Sequence, residues 1–63
     1  MDRITVEPQT DPHDGSRYYR AGAGGRTAES DRVRDLPDSD VHAWFALAAQ
    51  AVARLGEKIE TAR

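Results

Sequence analysis

The segment from about residue 38 to residue 62 constrains the fold most. No proline follows Pro37, and alanine, the strongest helix former, recurs throughout the segment. Asp38 or Ser39 can accept hydrogen bonds from the free N–H groups of a first helical turn, and a proline suits the position just before that turn. Only Gly56 weakens the run. The sequence therefore predicts one long α-helix over about residues 38–62.

The apolar residues of this helix recur at alternating steps of three and four, which places them along one face. We predict that this face contacts a partner, with the adjacent aromatic residues Trp44 and Phe45 as anchors. The positions beside it are mostly small or apolar, which favours an antiparallel pair, a bundle or a groove over a parallel zipper. The predicted partner-binding residues are Val41, Trp44, Phe45, Ala48, Val52, Leu55 and Ile59.

The remainder of the chain offers little to cover that face. The chain has 63 residues, of which 38 % are hydrophobic, and it contains no cysteine that could form a disulfide or a thiolate metal site. We therefore expect a partner, either a second copy or a larger assembly, to supply the missing surface.

The first 37 residues predict an extended arm. Residues 3–7 alternate like a short strand that Pro8 ends, residues 11–15 form a turn, and residues 16–20 could pair with the first strand as a short hairpin. The small residues 21–25 predict a flexible linker. The expected fold is mainly α, with a mostly irregular arm over 1–37 and an associating helix over 38–63.

No motif in the chain predicts catalysis or a cofactor. The glycine run that begins at Gly22 has Thr27 where a dinucleotide-binding fingerprint requires glycine. Asp11, His13 and Asp14 offer oxygen and nitrogen ligands, but their Pro/Gly-rich setting is typical of an ordinary acidic turn. We expect no enzyme, no cofactor and no metal site.

Arg17, Tyr18, Tyr19 and Arg20 form the most distinctive linear patch. Arginines with interleaved aromatic residues can neutralise and stack single-stranded nucleic acid. The same residues also suit an arm that binds a protein surface, and the net charge of −2 favours that interpretation. The patch is therefore a secondary contact surface, and a nucleic-acid-binding regulator is the alternative function.

The opening segment from Met1 to Val6 resembles the first strand of ribbon-helix-helix DNA-binding antitoxins. That resemblance implies two strands that pair across a dimer and enter the major groove. In that family a helix follows within a few residues, whereas here Pro8, Pro12 and Gly15 prevent one. The chain is not assigned to the family on this basis.

The expected function is that of a small non-catalytic interaction subunit. It would self-associate or dock onto a multi-subunit particle, as accessory proteins of phage capsids do. No apolar run reaches the length of a membrane span, and the first residues do not resemble a signal peptide. We expect a cytoplasmic protein, or a virion component if the source is a phage.

Overall fold

The computed structural model describes residues 3–61 and shows three strands followed by one helix. The strands are β1 (Thr5–Thr10), β2 (Arg17–Ala23) and β3 (Arg26–Glu29), and the helix is α1 (Val41–Thr61). The strands form one antiparallel sheet in the order β1-β2-β3. The fold is therefore α+β, and the prediction of a mainly α chain with an irregular arm is wrong. Two predictions fall partly outside the described residues: the resemblance of residues 1–6 to a ribbon-helix-helix strand, and the helix end at residue 62.

The turn between β1 and β2 forms because two aspartate side chains each accept a hydrogen bond from the backbone N–H two residues further along the chain. Asp11 Oδ1 accepts from the His13 N–H at 2.8 Å, and Asp14 Oδ1 accepts from the Ser16 N–H at 2.9 Å. The adjacent Ser16, through its side chain first and its N–H second, holds the pKa of Asp14 below its ordinary value. The hairpin that contains this turn is longer than predicted. Its strands cover residues 5–10 and 17–23 instead of 3–7 and 16–20, and Pro8 lies inside the first strand rather than at its end.

The glycine run contains a second hairpin turn. Gly24 and Gly25 have φ of 57° and 78°, and they connect Ala23 directly to its partner Arg26. A two-residue turn of this kind needs positive φ at both positions, which glycine adopts without strain. The prediction of a flexible linker over residues 21–25 is therefore wrong: residues 21–23 end β2, and Gly24 and Gly25 form a tight turn.

Beyond β3 the sheet continues through a side chain. The Ser30 N–H donates to the Tyr19 carbonyl at 2.9 Å, and the Tyr19 N–H donates to Ser30 Oγ at 2.9 Å. The hydroxyl takes the place of a backbone carbonyl, so the chain bulges before Val33 and Arg17 exchange two further backbone bonds. The buried Ser30 thus extends the β2–β3 pairing.

Helix α1 begins at Val41, three residues later than predicted. Its cap is Asp40, whose Oδ1 accepts from the Ala43 N–H at 3.2 Å, rather than Asp38 or Ser39. The Asp40 N–H itself donates to the Pro37 carbonyl at 3.1 Å, which places Pro37 in the turn before the helix.

The core lies where the helix crosses β2 and β3, and it is built from small residues. Ala21 of β2, Ala28 of β3 and Ala51 of α1 are all buried together with Leu55, which is 1 % exposed. Alanines at these facing positions allow the helix backbone to approach the sheet closely. The helix therefore uses one side for the chain's own core and leaves the opposite side outside it.

Candidate protein-interaction face

The side of α1 that points away from the sheet is apolar and exposed. Phe45 is 73 % exposed and Val41 59 %, while the residues on the sheet side of the helix, Leu47, Ala51 and Leu55, are buried. We name the exposed side the outer face. Its residues are Val41, His42, Phe45, Ala46, Ala49, Val52, Ala53 and Gly56.

The outer face bears no charge between residues 41 and 56. Within this stretch of the helix Arg54 is the one arginine, lysine or carboxylate, and it points to β3 rather than outward. A surface helix of a globular protein normally presents charged and polar residues to water on this side. A helix whose outward side is apolar, as well as the side on the core, is typical of one that another surface covers.

Two shallow grooves adjoin the outer face and share Phe45 and Ala48 as walls. The first, of about 280 Å³, lies towards the start of the helix between Tyr19, Val41 and Trp44. The second, of about 550 Å³, lies between the helix and Val6 of β1, and its floor is made of alanines and Val52. Asp38 is the one acidic or basic side chain that lines either groove.

The helix side that faces β3 has the opposite character. Gln50, Arg54 and Lys58 are spaced four residues apart, so they lie along one line of the helix. Arg54 Nη1 donates to the Glu29 carbonyl at 2.9 Å, and Lys58 Nζ donates to the Thr27 carbonyl at 2.6 Å. These donors fill the outward carbonyls of an edge strand and thus close that edge.

Asp31 completes this polar contact. Its carboxylate accepts from Arg54 Nη2 at 2.9 Å and from Gln50 Nε2 at 3.2 Å, while its N–H donates to Gln50 Oε1 at 2.7 Å. The hydrogen bond from Arg54, followed by that from Gln50, holds the pKa of Asp31 below its ordinary value. The residues after β3 are tied to the helix by this pair of side chains.

The opposite edge of the sheet, along β1, is open but cannot fully accept another strand. Odd-numbered residues of β2 bond to the β3 side, as the Tyr19–Ser30 and Arg17–Val33 bonds show, so its even-numbered residues face β1. Pro8 pairs with Tyr19, and its nitrogen consequently lies on the free edge. A proline there removes a donor that an added strand would need. Association through the outer face is thereby favoured over extension of the sheet.

The first groove is held in shape by an aromatic cluster. The Trp44 ring meets Tyr19 edge-on, with 5.4 Å between ring centroids, and the Arg17 guanidinium lies 4.5 Å from the Trp44 ring centroid. Trp44 Nε1 donates to the Pro37 carbonyl at 3.1 Å, and Arg17 also pairs with Asp38. These contacts anchor Trp44 to its own chain and leave Phe45 beside it in water.

The predicted partner-binding residues do not all share one surface. Val41, Phe45 and Val52 are exposed on the outer face, and Ala48 lines both grooves. Leu55 is buried in the core, and Ile59 packs against that core from its rim. The structure thus brings Val41, Phe45, Ala48 and Val52 together, whereas Leu55 and Ile59 contact the chain's own sheet and Trp44 is anchored to the chain itself.

The predicted patch from Arg17 to Arg20 divides between the two faces of the sheet. Tyr19 and Arg17 lie on the helix side, whereas Tyr18, which is 6 % exposed, has the Arg32 guanidinium 4.3 Å from its ring centroid. Arg20 is paired with Glu29 at 3.0 Å. Strand alternation separates neighbours in sequence, so these four residues do not form one continuous binding surface.

Sequence reasoning did not assign several residues of the outer face. Ala46, Ala49, Ala53 and Gly56 are small, and a search for large apolar residues passes over them. The available signal was the absence of charge, because a helix exposed to solvent on one side should carry Lys or Glu at some of these positions. Val6 of β1 was also outside the predicted set, since only the sheet brings it beside the helix.

Within residues 3–61 there is no cluster of three or more histidine, aspartate or glutamate side chains arranged to hold a metal ion. Nor is any helix in that range long and apolar enough to cross a membrane. Comparison with protein-family models, with curated proteins and with solved structures gives no match.

Proposed function

We propose that the chain is a small non-catalytic interaction subunit that binds a protein surface through its outer face. The observation that carries the proposal is the position of Phe45, an aromatic residue that is 73 % exposed on an uncharged helix side. Exposed apolar patches bordered by grooves are typical of protein interaction sites. Aromatic residues seated among small ones supply much of the binding free energy at such sites.

The grooves beside the outer face suit a protein side chain better than a reacting substrate. Their walls are aromatic and aliphatic, and Asp38, the one carboxylate among them, is already paired with Arg17. General acid–base catalysis requires an ionisable group within hydrogen-bond reach of the reacting atoms. Apolar association requires methyl groups and rings that lose contact with water, and these are what the grooves provide.

Site-specific photocrosslinking in the source cell tests this proposal. We would replace Phe45 with the photoreactive analogue p-benzoylphenylalanine, which keeps an aromatic ring at that position. The matched control has the same analogue at Arg26, an exposed residue at the start of β3 and away from the outer face. Protein adducts from position 45 that exceed those from position 26 are expected. Equal or absent adducts at the two positions would contradict an interaction role for this face.

A further inference from the structure

The outer face carries both a protruding side chain and the recess that fits it. Phe45 protrudes, and one turn further along the same face lie Ala49, Val52, Ala53 and Gly56. In knobs-into-holes packing, a side chain of one helix inserts between four residues of the facing helix at relative positions i, i+3, i+4 and i+7. Positions 49, 52, 53 and 56 have this spacing, and three of the four are alanine or glycine.

A two-fold axis beside Ala49 brings each protruding ring to the other copy's recess. In an antiparallel pair of helices related by such an axis, residues at equal distances before and after position 49 lie at the same height. Position 45 of one copy then lies level with position 53 of the other, at the middle of the recess. The relation is mutual, so both rings are covered by a single operation.

A parallel pair lacks this fit. Equivalent residues would then lie at the same height, so Phe45 would meet the second copy's Phe45 while the alanines faced one another. The rings would hold the helices apart and leave a gap along the alanines, and poorly filled space of that kind forfeits contact energy. The distribution of large and small residues therefore selects the antiparallel arrangement.

The outer face meets the electrostatic requirement of self-association and extends over several helical turns. When a face meets its own copy, any charge near the centre approaches a like charge, and residues 41–56 bear none on this side. A stable dimer needs roughly 800 Å² from each partner. That is about one-sixth of the chain's surface of 4659 Å². The face extends about 24 Å along the helix axis, and the groove towards Val6 widens it.

From these observations we infer that the partner on the outer face is a second copy of this chain, paired antiparallel about Ala49. The inference rests on the proposed function, because it identifies the occupant of the same face. Small residues permit an interaxial distance at the lower end of the range of about 8–10 Å for packed helices.

Disulfide trapping tests both the occupant and the orientation. The chain has no native cysteine, so each introduced cysteine is the only one. Ala49→Cys is expected to form a disulfide-linked dimer, because residues next to the axis lie within bonding distance of their own copy. His42→Cys and Gly56→Cys should each link poorly alone and should link to one another when mixed. Thr10→Cys, on the far end of β1, serves as the exposed control.

A Gly56→Leu variant separates association from folding. Apart from its chain neighbours and the backbone of its own helix, no heavy atom lies within 4 Å of a Cβ built at Gly56. The monomer therefore accepts a side chain there, and leucine favours the helix. The same leucine would fill the recess for Phe45. We expect a higher melting temperature in dilute solution together with dimerisation weakened roughly tenfold or more.

Sedimentation of the wild-type chain from micromolar to millimolar concentration completes the test. A monomer–dimer equilibrium that Gly56→Leu weakens supports the inference. A folded monomer throughout, or self-linking of His42→Cys as fast as that of Ala49→Cys, overturns it. In the first of these cases, adducts of another protein at position 45 in the photocrosslinking experiment would leave the proposed function intact.

Discussion

Helix α1 has β3 beside one of its long sides and β1 beside the other, and the chain covers these two sides to different extents. On the β3 side, Arg54 and Lys58 donate to carbonyls of the edge strand and close it. On the β1 side, Phe45 and Val52 reach no such partner, and the neighbouring strand offers Val6 across an open groove. The chain therefore covers the helix side on which its own hydrogen-bond donors reach its own acceptors. It leaves apolar surface on the side where only another surface can cover it.

The largest effect is expected where the helix side is covered. Leu55→Ala removes a side chain that is 1 % exposed, and such truncations cost about 2–5 kcal/mol. Val52→Ala, three residues earlier, removes a side chain that is 38 % exposed and should cost less than about 1 kcal/mol. Urea denaturation followed by circular dichroism at low concentration measures both. Similar losses at the two positions would show that the helix has no uncovered side.

Replacing an alanine by leucine should change the stability of the monomer by an intermediate amount on the core side of the helix and very little on the outer face. Ala51 is 0 % exposed between the helix and the sheet, so Ala51→Leu should destabilise the monomer by about 1–3 kcal/mol or more through overpacking. Ala49→Leu points outward and should leave monomer stability within about 0.5 kcal/mol. Thermal melts of the two variants compare them directly. A large loss from Ala49→Leu would place that residue in the chain's own core.

The hydrogen bond by which Arg54 covers the β3 edge can be tested by substitution. Arg54→Met keeps the length of the side chain but removes the hydrogen bond to the Glu29 carbonyl, which should cost about 1 kcal/mol. Arg26→Met, the same substitution at an exposed residue off the helix, is the control. Chemical denaturation at neutral pH should register a loss at position 54 and little change at position 26.

The same contact predicts an acid dependence of stability. Hydrogen bonds from Arg54 and Gln50 lower the pKa of Asp31, so the unfolded chain binds a proton at this site more readily than the folded chain. The contribution of the Asp31 carboxylate to the free energy of unfolding is complete above the ordinary aspartate pKa of about 3.9. It is lost as the pH falls through the lowered pKa of the folded state. Melting temperatures from neutral to acidic pH should therefore fall less steeply in Arg54→Met than in the wild-type chain. Parallel curves would contradict the assignment.

The smallest expected change is a gain on the open side. Gly56 lies in the exposed helix with room for a methyl group, so Gly56→Ala should stabilise the monomer by about 0.5–1 kcal/mol. Differential scanning calorimetry of the dilute protein would detect the shift. No gain would indicate that the backbone at Gly56 departs from ordinary helical geometry.

Sequence reasoning recovered the helix well and the sheet poorly, for a physical reason that particular residues illustrate. The helix prediction relied on local propensity and on Pro37, and it missed the observed start by three residues because Asp38, Ser39 and Asp40 can all cap a helix. Apart from Tyr18, Tyr19 and Thr27, strands β2 and β3 consist of alanine, glycine, arginine and glutamate rather than β-branched or aromatic residues. Pairing across Gly24-Gly25 stabilises them, and a composition-based interpretation takes that segment for a linker.

In the outer face, too, local sequence predicted some features and contacts between distant segments decided the others. The apolar character of the helix and the prominence of Phe45 follow from local sequence, because side chains repeat every 3.6 residues whatever lies beside them. Which apolar residues are covered depends on where the sheet docks: it buries Leu55 and leaves Val41 and Phe45 exposed. Residues 38–62 by themselves therefore determined that a helix with an extensive apolar surface exists. Only the long-range pairing of β1, β2 and β3 decided which side the chain covers, because burial is set by contacts between segments far apart in sequence.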